Sequence, residues 1–324
     1  MEKKIIRWGI LGLGKIAHKF AQDLALVEDT ELVAVASRDK EKAKIFSQIF
    51  KAQKAYDSYQ ELVKDPQVDA IYIATPHSFH KKHALLCLQN KKAVLCEKPF
   101  AMNLQEVTEM IAVAKQNNTL LMEALWTFFL PHYQYLLEII KSKKYGEIIK
   151  LEADFGFYTP YNTESRVFKK EVGGGSLLDI GIYPIFVAIS TLGIPEKIEA
   201  SATFFENGAD ASCSMLFNYD TTKAYLKSTL LEETKTAAIF TFKKAIVVIN
   251  SRFHQPTSIT ITEDGKEETF DFNYTTIGYS FEINHFNNLL RKNKKESDIM
   301  NYAFSKNLIQ TIDNVRKIIN LHYA

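Results

Sequence analysis

The chain has 324 residues, 46% hydrophobic and 24% charged, which is enough apolar material for two packed cores and excludes a disordered chain. Forty basic residues against 38 acidic ones leave a formal charge of +2, so no charge excess argues for nucleic acid or a membrane surface as a partner, and small, weakly charged ligands fit better. The cysteines, Cys87, Cys96 and Cys213, are widely spaced without a metal-like pattern, and Met1 to Trp8 runs into a strand without an apolar leader, so a reducing, cytoplasmic setting is expected.

In chain order, runs 5–11, 32–36, 70–74, 93–96 and 119–122 are near-continuous apolar strands, with helix-period segments 17–26, 40–50, 80–88 and 104–114 between them. Strands apolar on both faces and separated by helices predict a doubly wound parallel sheet, a Rossmann-type α/β domain over residues 1–123. Asn103 with Glu106 three residues on predicts a capped start for the fourth helix. After residue 123 the pattern changes. A helix near 133–141, a strand over 147–153, an apolar helix from 177, and strand-like runs from 198 to 272 with a hairpin signal at Asp264-Gly265 predict an α+β domain over 124–324 with an open, mostly antiparallel sheet. The tail from Met300 to Leu321 puts Phe304, Leu308, Ile312, Val315 and Ile319 on one face, an amphipathic helix able to pack back on the first domain. The apolar stretch 177–195 approaches the length of a membrane span, but Asp179 within it and the lack of a basic flank favour a helix buried in protein.

The run GLGKIA over 12–17 sits between the first strand and the first helix, the context that makes it a dinucleotide fingerprint. Gly12 permits the tight turn, Gly14 leaves room for a pyrophosphate at the helix start beside Lys15 and Ile16, and Ala17 keeps helix and strand close. The second strand ends in Ser37-Arg38 instead of an acid, which favours the 2′-phosphate of NADP over NAD, with Asp39 as the residue that would reach a ribose hydroxyl instead.

Ligands of an open parallel sheet lie beyond the carboxyl ends of its strands. Two such ends carry polar runs: Thr75, Pro76, His77 and His80 after the third strand, and Glu97, Lys98 and Pro99 after the fourth. In the second half, GGGSLLDIGIYP over 173–184 reads as a flexible glycine entry, Ser176 as a cap, then Asp179 and Tyr183 on one helix face, with Pro184 kinking the helix beside Tyr183. No group of His, Cys or acidic residues has metal spacing.

Together, GLGKIA, ATPH over 74–77, CEKP over 96–99 and GGSLLDIGIY over 174–183 resemble the Gfo/Idh/MocA oxidoreductases along nearly the whole chain, and MEALW over 122–126 with DIGIY over 179–183 most resembles the branch of dimeric dihydrodiol dehydrogenase, also described as an NADP-dependent D-xylose dehydrogenase. The resemblance implies hydride transfer between NADP, with NAD as the alternative, and a hydroxyl or carbonyl of a sugar, polyol or trans-dihydrodiol. It further implies a homodimer through the C-terminal sheet, a cis Lys98-Pro99 bond, and Lys98 with Tyr183 as catalytic residues. Phe128 stands where that branch commonly has arginine, so Trp126, Phe128 and Phe129 offer apolar substrate surface instead. Tyr183 would act as general base, an ammonium ~4 Å away favouring phenolate by about 4 kcal/mol at an effective dielectric of about 20. Asp179 would orient a substrate hydroxyl or Lys98. A non-catalytic NADP-binding regulator, and an enzyme recycling tightly bound NADP, are the competing readings.

Overall fold

The structure is a computed structural model describing residues 4–323; Met1 to Lys3, the start of the N-terminal run, and Ala324 lie outside it. Its elements in chain order are β1 (Ile6–Leu11), α1 (Lys15–Leu24), β2 (Thr30–Ala36), α2 (Lys40–Phe50), β3 (Lys54–Tyr56), α3 (Tyr59–Lys64), β4 (Ala70–Ile73), α4 (His80–Gln89), β5 (Ala93–Glu97), α5 (Leu104–Gln116) and β6 (Leu121–Ala124). There follow α6 (Pro131–Ser142), β7 (Ile148–Gly156), α7 (Ile182–Leu192), β8 (Lys197–Phe204), β9 (Asp210–Asn218), β10 (Lys223–Thr229), β11 (Ala238–Phe242), β12 (Ala245–Ile249), β13 (Ile259–Glu263), β14 (Lys266–Phe270), α8 (Tyr279–Arg291) and α9 (Tyr302–Ile318). The described residues divide into two compact units, 4–129 with 275–306, and 130–274 with 307–323.

The first unit holds a six-stranded sheet in the order β3-β2-β1-β4-β5-β6, every pairing parallel. Strand order reverses between β1 and β4, which opens a crevice at their carboxyl ends. β3 and α3 carry no periodic apolar signal and are too short to read from sequence; β3 is held by its register with Ala34, Val35 and Ala36 of β2. The cap foreseen on α5 is present: Asn103 accepts from the amide of Glu106 at 2.9 Å, and Glu106 accepts from Met102 at 3.1 Å. Residues 275–306 belong to this unit through polar anchors. Buried Asp23 accepts from the amides of Ile277, Gly278 and Ser280, serving as the missing cap of α8, and the Trp8 indole donates to Asn287 at 3.1 Å.

The second unit is an eight-stranded sheet, β14-β13-β12-β11-β7-β10-β9-β8, antiparallel except where β10 runs parallel to β7. Asp264 and Gly265 both have positive φ, the geometry a two-residue hairpin requires, and they join β13 to β14. The stretch Lys170–Leu192 is long and apolar enough to span a bilayer, but 94% of its most apolar window is buried within the protein, as for a core helix. Residues 182 to 189 of α7 are all buried.

Candidate functional site

At the carboxyl end of β1 the backbone of Gly12 has φ +90°, and a Cβ there would lie 2.7 Å from Thr75 Cγ2 and 3.0 Å from Ala74 O. Only glycine fits this turn. Gly14 starts α1 with no side-chain cap, no acidic residue follows in the first turn, and a Cβ at this position would meet nothing within 4 Å. Gly14, Lys15 and Ile16 are exposed while Ala17 is fully buried. An uncapped helix start with open space before it, tied tightly to its strand, fits the pyrophosphate of a dinucleotide.

At the end of β2, Ser37 is buried and its hydroxyl accepts from the amide of Asp39 at 3.2 Å. Asp39 is the N-cap of α2, accepting from Lys42 at 3.1 Å. Arg38 is exposed, with its guanidinium carbon 6.0 Å from the centre of the Phe79 ring. The Thr75 hydroxyl bonds His83 at 3.0 Å, and burial pushes the His83 pKa down to about 4, so this imidazole is neutral at neutral pH. Pro76 precedes a single 3₁₀ turn over His77–Phe79, and His77 is buried. His80, fully buried, places its two ring nitrogens 2.8 Å from Pro99 O and 2.7 Å from Thr75 O, tying the loop after β4 to the loop after β5.

Glu97 ends β5 half-buried; one carboxylate oxygen accepts from the Tyr72 hydroxyl and the other from the Lys98 amide at 3.2 Å. Lys98 is half-buried and precedes Pro99 across a cis bond. The next amide, Phe100, donates to Glu123 at 3.0 Å. Glu123 is 2% exposed, and burial raises its pKa to about 7 against the bonds from Ser305 and Phe100. Trp126, Phe128 and Phe129 form a 3₁₀ turn, each at least nine-tenths buried, packed on Tyr279, Phe304 and His285 respectively.

In the second unit the glycine run has a different role from the flexible entry expected. Gly175 has φ +126°, and a Cβ there would fall 2.1 Å from Asp210 Oδ1, so the run lets the chain press against β9. Ser176 does not cap the helix. Its hydroxyl donates to buried Asp210 at 2.7 Å, and Asp210 itself accepts from the Leu177 amide at 2.6 Å. A π-helical turn over Leu177–Gly181 leads into α7, which runs through Tyr183 and Pro184 as α-helix. Asp179 lies on that turn and Tyr183 on the first turn of α7, 8% and 5% exposed. The Tyr183 ring is 5.7 Å from Phe155 and 5.0 Å from His254, and His254 stacks on Phe155 at 4.2 Å. Arg166 places Nη2 3.1 and 3.0 Å from the two Asp179 oxygens.

Arg166, His254, Asp210 and His83 escaped the sequence reading. Arg166, His254 and Asp210 come from loops or a strand start far along the chain from their partners, and His83, though on the helix read over 80–88, has its partner Thr75 in the preceding loop, so no local pattern marks them. Among the described residues no group of three or more His, Cys, Asp or Glu side chains could hold a metal ion.

The oxidoreductase family with an NAD-binding Rossmann fold, Gfo/Idh/MocA, matches residues 6–125, and the Gfo/Idh/MocA C-terminal domain matches residues 133–256. Trans-1,2-dihydrobenzene-1,2-diol dehydrogenase of Xenopus laevis is 39% identical, covering 98% of this chain and 99% of its own. The scyllo-inositol 2-dehydrogenase (NADP(+)) of Bacillus subtilis is 31% identical, covering 98% of both. Among solved structures, a 3-ketoreductase from Actinomadura kijaniata in complex with NADP and TDP-benzene is similar with a TM-score of 0.87 at 25% identity, over 97% of this chain and 98% of that one. Aldose-aldose oxidoreductase from Caulobacter crescentus shares the fold, with a TM-score of 0.89 at 20% identity over 98% of both chains. With both family domains matched in order and relatives aligned end to end, this chain belongs to the Gfo/Idh/MocA family and is an NAD(P)-binding oxidoreductase.

Proposed function

We propose that the protein is an NADP-dependent dehydrogenase acting on a CH–OH group of a neutral diol, polyol or sugar, with Tyr183 as the proton acceptor. The observation that carries this reading is the setting of Tyr183: a phenol only 5% exposed, flanked by Phe155 and His254, one turn beyond Asp179. The diol and inositol dehydrogenases similar over the whole chain support the substrate class. Bound NADP+ supplies the hydride acceptor. Tyr183 takes the hydroxyl proton as the carbinol hydrogen leaves with its electron pair, and Lys98 supplies the positive charge that favours phenolate. Asp179 orients the substrate, and Trp126, Phe128 and Phe129 contribute apolar surface.

NADP is favoured over NAD because the acid beside Arg38 is already engaged as a helix cap. Three buried, unpaired cysteines suit a reducing, cytoplasmic setting. The sheet of the second unit presents a row, Leu216, Tyr225, Glu152, Ile239 and Val248, each paired with the next, all half-buried or exposed, while their neighbours along each strand are buried. We assign this face to a homodimer. Tyr225→Asp should then sediment as a monomer where the parent sediments as a dimer; a monomeric parent removes the assignment.

The enzymatic reading is tested by following NADPH formation with aldoses, inositols and trans-dihydrodiols. Tyr183→Phe should lower kcat by about 10²- to 10⁴-fold with NADP binding intact. A variant turning over at the parental rate would refute the role of the phenol, and NADPH that forms but stays bound would favour a recycling cofactor.

A further inference from the structure

Tyr72 and Glu97 meet because of how β4 and β5 pair. Tyr72 is in register with Leu95, and side chains alternate along a strand, so Glu97, two residues past Leu95, projects from the same face of the sheet as Tyr72. The tyrosine is long enough to cover that offset, and its hydroxyl donates to Glu97 Oε1. The Tyr72 ring is 0% exposed and lies parallel to Phe20 of α1, with centroids 3.6 Å apart and planes at 7°. Trp8 and Tyr279 meet Phe20 edge-on at 5.5 and 6.3 Å. A ring packed this closely keeps one orientation, so its hydroxyl holds the carboxylate in one place.

The direction of this bond is fixed as well. Burial, and then the charge of Glu97, push the Tyr72 phenol well above its ordinary value, so it keeps its proton and donates. The second oxygen of the carboxylate accepts from the Lys98 amide at 3.2 Å. Glu97 is the last residue of β5, paired with Ala124 of β6, and Lys98 is the first residue beyond the sheet. The chain is held again just after it: Pro99 O lies 2.8 Å from a ring nitrogen of His80, and the Phe100 amide donates to Glu123 at 3.0 Å. Lys98 therefore stands between two anchored points, and the near one depends on a hydroxyl from the interior of the sheet.

We propose that Tyr72 is a positioning residue for Lys98: it fixes the Glu97 carboxylate, which fixes the Lys98 amide and with it the starting direction of the lysine side chain. The inference rests on the dehydrogenase reading, in which the Lys98 charge favours the Tyr183 phenolate, and adds a residue that reading does not use. Tyr72 is wholly buried, so it acts through Glu97 and not by touching substrate. Loss of the hydroxyl removes a donor that holds the carboxylate against the strand end, and the Lys98 amide then opens to water more often.

The test is amide hydrogen exchange, followed by NMR, on full-length NADP-loaded protein carrying isotope-labelled lysine and isoleucine, with Lys98→Arg to assign the Lys98 signal. Tyr72→Phe removes one oxygen and keeps the ring on Phe20. In this variant the Lys98 amide should exchange about tenfold faster or more, while the sheet amides of Ile10 and Ile71 keep their parental rates. Glu97→Ala should accelerate Lys98 at least as much, and the double variant no further, because the tyrosine acts only through the carboxylate. With scyllo-inositol as substrate, Tyr72→Phe should lower kcat about tenfold, change the NADP KM by about twofold or less, and lower kcat no further in a Lys98→Met background. Exchange is read without turnover, so a Lys98→Met variant as active as the parent would defeat the proposed chemistry and leave the positioning to be decided by exchange. A parental Lys98 exchange rate in Tyr72→Phe, an acceleration shared by Ile10 and Ile71, a double variant faster than Glu97→Ala, or an equal loss of kcat in the Lys98→Met background each overturns the proposal.

Discussion

On the reading proposed above, the choice of dinucleotide turns on Arg38. It is exposed at the end of β2, near Phe79, and hydrogen bonds Tyr59, whose own pKa is raised mainly by burial with Arg38 opposing. Asp39 bonds the amide of Lys42, so its carboxylate already serves α2. Arg38→Ala should raise the NADP KM by about 10- to 100-fold while changing the NAD KM by about twofold or less, because only the 2′-phosphate needs the guanidinium. Steady-state kinetics with both dinucleotides decides; equal increases would mean that Arg38 supports the fold of this corner and does not read the phosphate. The position of Arg38 was legible because the offset from a glycine turn to the end of the next strand is set by the length of one helix. Arg166 was not legible. It lies thirteen residues before its partner, in a loop whose path is decided by the burial of Phe168, and no spacing rule carries that information.

The start of the apolar helix shows the same contrast between local and distant determinants. Its apolar run and its aspartate and tyrosine were readable from sequence, as was the capped start of α5, because those signals lie within one or two turns of chain. The cap was misread because the acceptor comes from β9: Asp210, which holds both the Ser176 hydroxyl and the Leu177 amide. Asp210→Ala would leave the buried Leu177 amide without an acceptor and the Ser176 hydroxyl with Ser228 alone, and a loss of about 2 kcal/mol in unfolding free energy is expected. Asp210→Asn retains an acceptor oxygen and should lose less. Urea unfolding compares the three proteins, and an Ala variant as stable as the parent would show that the helix start relaxes to another acceptor. Because Asp179 and Tyr183 follow within two turns, the Ala variant should also lose kcat, although neither side chain is changed.

Across the whole molecule, alternation and apolar runs made both sheets legible, since a strand covered on two faces and a strand covered on one differ in pattern. They could not reveal which ionisable groups would be buried. Several are, and they pull stability in opposite directions with pH. Burial pushes His83 and His132 down to about 4, so below their ordinary 6.5 the unfolded chain takes up protons that the folded one refuses, and stability falls as pH drops from 6.5 toward 4. Glu123 behaves oppositely. Its carboxyl is raised to about 7 from an ordinary 4.5, so the folded chain keeps a proton that the unfolded chain has released, and stability falls as pH rises from 4.5 through 7. Glu282, fully buried and without a hydrogen bond to either oxygen, is raised well above its ordinary value by burial, with Glu97 and Asp23 adding to the effect, and it extends the same decline. Glu123→Gln should remove one part of this slope: the variant keeps an acceptor for the Phe100 amide and cannot ionise. The stability difference between variant and parent should be near zero at pH 4, grow in favour of the variant from pH 4.5 to 7, and level off at about 3 kcal/mol by pH 8. Urea melts across that range measure it, and a difference independent of pH would mean that the carboxyl is ionised in the fold, held by the charge of Lys98 and the bonds from Ser305 and Phe100 against the cost of burial.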